Sequence, residues 1–241
     1  MKFLRQLLIF FFSFIDQFFH QKRIQKFLEK KNIKLKTFID VGAFEGKYTD
    51  LILKIEKNCN IIMVEPQKKY YNFLKNKYID NPKVKIFRVG LSDQKNIKTL
   101  KINKHEITSG FSEFNKTNKY LNLKAILFES KLENMIKTEE KVEVFPLEEI
   151  LRGENLNYID LVKIDTEGHE YEVLQGSKNH LKQINYILIE YHTDKIYENY
   201  DPEKIHEFLV KNNFLLLKRF KFPFTTWQDC LYHNSKFENQ V

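Results

Sequence analysis

The chain has 241 residues, 40 Lys and Arg against 32 Asp and Glu, and a formal net charge of +8. That length supplies one substantial core, and 7 Gly and 5 Pro, spread out, leave no Pro/Gly-rich linker and no repeat, so multidomain and low-complexity architectures are excluded. Two cysteines, Cys59 and Cys230, form no metal or redox spacing and no disulfide framework, which favours a reducing, cytoplasmic setting.

The chain opens on Met1 to Gln6 and an apolar run, Leu7 to Ile15, followed by Phe18 and Phe19. The run is shorter than the ~20 residues a spanning helix needs, and no small-x-small cleavage site follows it. Residues 1–33 therefore read as an aromatic-rich helical segment packed on the domain. The competing reading is an interfacial helix in peripheral contact with the inner face of a membrane. Scattered lysines between Lys22 and Lys104 read as solvated helix faces rather than a nucleic-acid groove.

From residue 34 to 241, strand-like and helix-like segments alternate, as a parallel sheet with crossover helices requires. Strands are expected at Phe38–Val41, Asn60–Val64, Val84–Val89, Ile159–Ile164 and Tyr186–Ile189. Helices are expected at Lys47–Lys57, Lys68–Tyr78, Leu147–Leu151, Tyr171–Gln175 and Pro202–Asn212, with Gly176 as a C-cap. Tyr70, Tyr71, Phe73, Leu74 and Tyr78 are expected core residues. An insertion at about 97–145 holds short strands, Lys98–Asn103 and Lys141–Phe145, and suits a lid. Phe214–Phe220 and Trp227–His233 are expected to pair antiparallel.

The densest chemistry lies where the first strand meets its helix, in Asp40-Val41-Gly42-Ala43-Phe44-Glu45-Gly46. Two glycines let the turn bend and approach a ligand closely. Glu65 lies 65 − 46 = 19 residues beyond Gly46, where an acid at the tip of the second strand grips a ribose diol. The spacing is not the three-glycine fingerprint that cradles a pyrophosphate, and Glu45 and Asp40 would repel one. A ligand with a ribose and a cationic end fits, and S-adenosylmethionine has both. A second dense segment, Asp165-Thr166-Glu167-Gly168-His169-Glu170, follows the fourth strand, and Glu190-Tyr191-His192 follows the fifth.

With Val64-Glu65-Pro66, Leu91-Ser92-Asp93, Val162 to Glu170, Val173 to Gly176 and Ile189-Glu190 in order, the chain resembles the FkbM family of S-adenosylmethionine-dependent methyltransferases. The resemblance implies a three-layer, Rossmann-like class I methyltransferase fold of the α/β class, with a mostly parallel seven-stranded sheet whose last strand is antiparallel. It implies cofactor contacts from Gly42, Phe44, Gly46 and Tyr48, from Glu65 at the ribose, from Leu91 and Ser92 near the adenine, and from Asp165 nearest the methyl group. It implies O-methylation of a sugar, glycan or other small molecule, and a lipid-linked acceptor would account for the N-terminal helix.

Transfer to oxygen requires a positioned acceptor and a base for its proton. Asp165, Glu167, His169 and Glu190 are the candidates, with His192 beside them. The competing mechanism is a divalent cation on Asp165, Glu167 and Glu190; no metal is expected. Bland roles remain for each: Glu65 as a helix N-cap, Glu167 and Glu170 as first-turn acids, His169 as a half-exposed helix residue, Trp227 as core, and His20, His105, His180, His206 and His233 as surface or packing residues. A nucleic-acid methyltransferase is disfavoured because Asp165-Thr166-Glu167-Gly168 replaces a Pro-Pro-aromatic turn. A nucleoside-binding module without chemistry is the third class.

Overall fold

A computed structural model describes residues 7, 10–12, 14–128, 135–154, 156–223 and 225–240. After helical residues at 10–12, 14 and 15, a π-helical turn, Asp16–His20, runs into α1 (Gln21–Lys30), which buries Ile24 and Leu28. Then come β1 (Thr37–Val41), α2 (Lys47–Ile55), β2 (Asn60–Val64), α3 (Lys68–Lys77), β3 (Val84–Phe87) and the two-residue β4 (Gly90–Leu91). The insertion holds β5 (Asn96–Asn103), α4 (Lys119–Phe128) and β6 (Ile136–Phe145). The alternation resumes with α5 (Leu147–Glu154), β7 (Ile159–Ile164), α6 (Glu170–Gly176), β8 (Ile184–His192) and α7 (Pro202–Lys211), and closes on β9 (Phe214–Lys221) and β10 (Trp227–Asn234).

The main sheet has seven strands in the order β3-β2-β1-β7-β8-β10-β9. All neighbours from β3 to β8 are parallel, and the last strand of the chain, β10, inserts antiparallel to both β8 and β9. This is the expected mostly parallel, seven-stranded α/β architecture. All five residues of β1 and all six of β7 are buried, as strands covered on both faces must be. Successive side chains alternate between two cores: Phe38 packs with Ile24, Leu28, Ile52 and Leu74, and Ile39 packs with Ile150, Leu174 and Leu209. Helices α1 to α3 thus cover one face and α5 to α7 the other.

Several expectations are corrected. The third strand ends at Phe87, because Gly90 and Leu91 leave the main sheet to pair with Val144 and Phe145 of β6. The insertion strands are longer than their apolar cores suggested, since β5 and β6 form one antiparallel ribbon from Asn96↔Val144 to Asn103↔Ile136. Gly176 is no left-handed cap, being absent from the positive-φ glycines. A Cβ there would stand 2.0 Å from the Ser92 carbonyl oxygen, so this glycine serves a backbone-to-backbone approach between α6 and the chain after β4. Tyr70, Leu74 and Tyr78 are buried at i, i+4 and i+8, whereas Phe73 lies off that stripe and is exposed.

Candidate active site

The strand order reverses between β1 and β7: β2 and β3 lie to one side, β8 and β10 to the other. Such a switch point leaves a crevice beyond the carboxyl ends of the strands. A cavity of about 270 Å³ opens there, and its walls include Gly42, Phe44, Glu65, Leu91, Asp165 and Glu190. The loop from Thr108 to Phe111 of the insertion closes another side, and Phe12 and Asp16 of the N-terminal helix meet Phe222 and Trp227 on a third.

In the β1 turn, Gly42 has φ +78, Phe44 φ +46 and Gly46 φ +73. A Cβ on Gly42 would stand 1.8 Å from the Asp165 carbonyl oxygen. The absent side chain therefore brings the tips of β1 and β7 together, where Asp165 donates its N–H to the Val41 carbonyl at 3.1 Å. Glu65 is buried and accepts hydrogen bonds from the backbone N–H groups of Phe44 and Gln67, each at 2.8 Å. It stitches the β1 turn to the start of α3. The N-cap of that helix is Gln67, not Glu65. Burial pushes the Glu65 carboxyl up to about 7, against the pull of its two N–H donors. Each carboxylate oxygen retains acceptor capacity toward the cavity.

At the β7 and β8 tips, Lys163 and Asp165 pair at 2.8 Å. Lys163 is buried, and its ammonium lies 4.5 Å from the centre of the Tyr48 ring. Burial alone would lower its pKa, but Asp165 and Asp40 together outweigh that and leave it above the ordinary value. Glu167 stands at φ +53 and Gly168 at φ +90. Glu170 holds this turn by accepting from the Thr166 N–H at 2.9 Å, the Thr166 hydroxyl at 3.1 Å and the Gly168 N–H at 3.1 Å. The two acids therefore divide: Glu170 organises the turn and Glu167 faces the cavity, where it also accepts a hydrogen bond from the Tyr197 hydroxyl.

His192 Nε2 lies 3.3 Å from Glu190 Oε1 and 3.9 Å from Glu167 Oε2. Burial, then Asp165, Glu167 and Asp229, hold the Glu190 carboxyl well above the usual carboxylate range. Glu167, Glu190 and His192 present ligand atoms within 4.8 Å of one another, a set able to hold a divalent cation. This trio takes His192 where the sequence pointed to Asp165, which is instead paired with Lys163.

Asp40, Gly46, Ser92 and His169 stand behind the cavity wall rather than in it. Asp40 is buried and accepts from the Thr49 hydroxyl at 2.8 Å. Gly46 starts α2, and the carbonyl of Gly46 accepts from the Tyr78 hydroxyl at 3.0 Å. His169, expected half-exposed, is buried with Nε2 3.0 Å from the Ser92 hydroxyl, and burial pulls its pKa down to about 4. It joins α6 to the chain after β4. Tyr48 and Leu91 do line the cavity.

Other lining residues escaped the sequence reading. Lys163 was visible as a basic residue inside a buried strand that also holds Asp160. Trp227, expected in the core, is half-buried in the cavity wall and stacks on Phe222 with centroids 4.3 Å apart. His105, taken as a surface residue, lines the cavity from the insertion. His20 is buried and bonds Asp229 Oδ2 at 2.7 Å, the same oxygen that accepts from the Tyr48 hydroxyl at 2.7 Å. No local signal marks a pair 209 residues apart.

The Methyltransferase FkbM domain profile matches residues 40–216. The hexuronic acid methyltransferase AglP of Haloferax volcanii is 38% identical over 50 residues, a match that spans 21% of this chain and 19% of that protein. Among solved structures, M. capricolum TrmK in complex with S-adenosyl-homocysteine matches 90% of this chain and 68% of its own, at 11% identity and a TM-score of 0.48. A putative rRNA methylase from Clostridium thermocellum matches 89% of this chain and 94% of its own, at 11% identity and a TM-score of 0.49.

Proposed function

The chain belongs to the FkbM methyltransferase family, and from that premise we propose that it moves the methyl group of S-adenosylmethionine to a hydroxyl oxygen of a sugar or glycan. The observation that carries this reading is the presence in one cavity of Glu65, at the tip of β2, and of the Glu167, Glu190 and His192 cluster. The lining fits a cationic donor: Glu45, Asp165 and Glu167 face the cavity against Lys47 and Lys163 among the described basic side chains, and Glu65 and Glu190, raised in proton affinity by burial, add acceptor oxygens. Bound S-adenosylmethionine supplies a methyl carbon already activated by its sulfonium. Glu65 would hold the ribose hydroxyls, and Gly42, Phe44, Tyr48, Leu91 and Asp165 would form the rest of the donor site. Glu190, raised in proton affinity and next to His192, would take the acceptor hydroxyl proton. Asp165, neutralised by Lys163, would orient rather than abstract. Phe111, Tyr120 and Trp227 offer apolar faces for a sugar ring, and the fragmentary match to a hexuronic acid methyltransferase points to the same acceptor class.

The test is transfer of labelled methyl from S-adenosylmethionine to uronic acids, neutral sugars, lipid-linked glycans and RNA. Label fixed on a saccharide oxygen, and lost in Glu190→Gln, is the expected result. Label in RNA alone overturns the acceptor class, and donor binding without transfer to any of the four leaves a nucleoside-binding module. A second mechanism is favoured by the 4.8 Å clustering of Glu167, Glu190 and His192, which a divalent cation could bridge to lower the hydroxyl pKa. Loss of transfer on chelation, restored by Mg²⁺ or Mn²⁺, selects it; indifference to chelator selects the base.

A further inference from the structure

The N-terminal helix carries a second feature that methyl transfer does not require. Six of the exposed large apolar side chains among the described residues lie within 7–19: Leu7, Phe10, Phe11, Phe14, Phe18 and Phe19. Phe10 is 69% and Phe19 59% exposed, and elsewhere such side chains are scattered singly along the chain. Leu7, Phe10, Phe11, Phe14 and Phe18 recur at the i, i+3, i+4, i+7 and i+11 spacing of one helical face. Phe14 and Phe18 stack with centroids 4.6 Å apart. The other side of the same segment is fixed to the domain: Phe12 packs against Phe222 at 6.3 Å, and His20 is buried on Asp229. The aromatic face is thus held outward by a docked helix.

Charge completes the surface. Between residues 21 and 36 the chain has seven basic residues, Lys22, Arg23, Lys26, Lys30, Lys31, Lys34 and Lys36, against one acid, Glu29. All seven are exposed, and the Lys22 ammonium lies 5.3 Å from the centre of the Phe18 ring. Aromatic side chains along one face, with Lys22 at its border and an exposed basic helix continuing from it, match the chemistry of an anionic bilayer surface, where Phe enters the headgroup boundary and Lys and Arg meet the phosphates. A protein groove would not call for so many cations at its rim. No described helix is long and apolar enough to cross a membrane.

We propose that residues 7–36 dock the protein on anionic lipid bilayers, with Phe10, Phe11, Phe14 and Phe18 in the interface and Lys22, Arg23 and Lys26 on the headgroups. Because Phe12 and Asp16 line the cavity from the opposite side of this segment, docking leaves the cavity wall about one helix diameter, ~10 Å, from the bilayer surface. If the transfer reading holds, a lipid-linked saccharide is the acceptor that this placement serves. The docking claim itself does not depend on that reading.

The experiment is flotation of the full chain with vesicles of phosphatidylcholine alone or with 30 mol% phosphatidylglycerol, at low and high salt. Three proteins are compared: wild type, a Phe10→Ser/Phe11→Ser/Phe14→Ser/Phe18→Ser variant, and a Lys22→Glu/Lys26→Glu variant. Wild type should float with anionic vesicles and be released by salt. The aromatic variant should bind at least about tenfold more weakly. The charge variant should lose about fivefold for each charge removed. Titration of S-adenosylhomocysteine into each variant, with unchanged affinity, confirms a folded site and separates this outcome from any failure of the transfer reading. Absence of wild-type flotation, equal binding to neutral vesicles, or a wild-type dimer that the aromatic variant dissolves overturns the proposal; the last would assign the face to a second copy of the chain.

Discussion

The wall of the cavity at the tips of β1 and β2 is built from residues 41–48 and 64–67, whereas the wall at the tips of β7 and β8 joins Lys163, Asp165 to Glu167, Glu190 and His192 to Gly110 of the insertion and Trp227 of β10. The first wall is held by backbone: Phe44 and Gln67 donate their N–H groups to Glu65, and Gly42 and Ala43 donate theirs to Val64. The second is held by side chains: Lys163 pairs with Asp165 at the same strand tip, and Tyr197 donates its hydroxyl hydrogen to Glu167. On the proposed reading, the local turn fixes a donor site of constant shape, while an acceptor wall assembled from several segments can change without disturbing it. Substitutions in the first wall should therefore act on binding and those in the second on chemistry.

The largest expected effect separates the two walls. Glu190→Gln should lower kcat by about 10²- to 10⁴-fold, the usual contribution of a positioned base, while donor affinity stays within about threefold of wild type. Rapid-quench or steady-state methylation assays beside calorimetric titration would read both quantities. An equal loss in donor binding would mean that the walls are not separable.

Gly42→Ala attacks the seam between them. The new Cβ would stand 1.8 Å from the Asp165 carbonyl, at a φ of +78. With steric overlap and left-handed backbone strain both present, a loss of at least about 3 kcal/mol in urea unfolding is expected. A variant within about 0.5 kcal/mol of wild type would show that the strand tips are free to separate. Glu65→Ala, confined to the continuous wall, comes next. It removes an acceptor from two buried N–H groups and, on the proposed reading, from the ribose, so donor affinity should fall about 10- to 100-fold. Here kcat at saturating donor should stay near wild type, the inverse of Glu190→Gln.

The same contrast explains what could be read from the amino-acid sequence. Strand pattern, glycine turn and acidic residue at fixed distance are local, and β1, β2 and β7 stand within a residue of where periodicity puts them. Glu65 and Gly42 were legible, although the glycine serves its own backbone as well as any ligand. Gly176 was misread because close approach to Ser92 leaves the same mark as a helix cap. Lys163 carried a signal, a charge inside a buried strand, whose meaning depends on Tyr48 and Asp165 being beside it. His20 carried none, since its partners Asp229 and Trp227 lie at the other end of the chain and no spacing rule links them.

Glu170 provides the smallest effect and tests the turn that carries Glu167 into the cavity. Burial, with Asp165 adding to it, raises the Glu170 carboxyl from 4.5 to about 7, although the N–H groups of Thr166 and Gly168 pull the other way. The folded protein therefore binds this proton more tightly than the unfolded chain. Its stabilising contribution is complete below about pH 4.5 and is lost as the pH rises through about 7. Glu65 shifts in the same direction, to about 7, and adds to the same window. Glu170→Gln keeps an acceptor for Thr166 and Gly168 and removes the ionisation. The variant should lose less stability than wild type between about pH 5 and pH 8, by on the order of 1 kcal/mol in urea unfolding. The slope that remains belongs in part to Glu65 and should flatten further in Glu65→Gln/Glu170→Gln. Identical slopes in wild type and Glu170→Gln would mean that water reaches this carboxylate. The turn would still rest on the hydrogen bonds that Glu170 accepts from Thr166 and Gly168, without any dependence on its protonation.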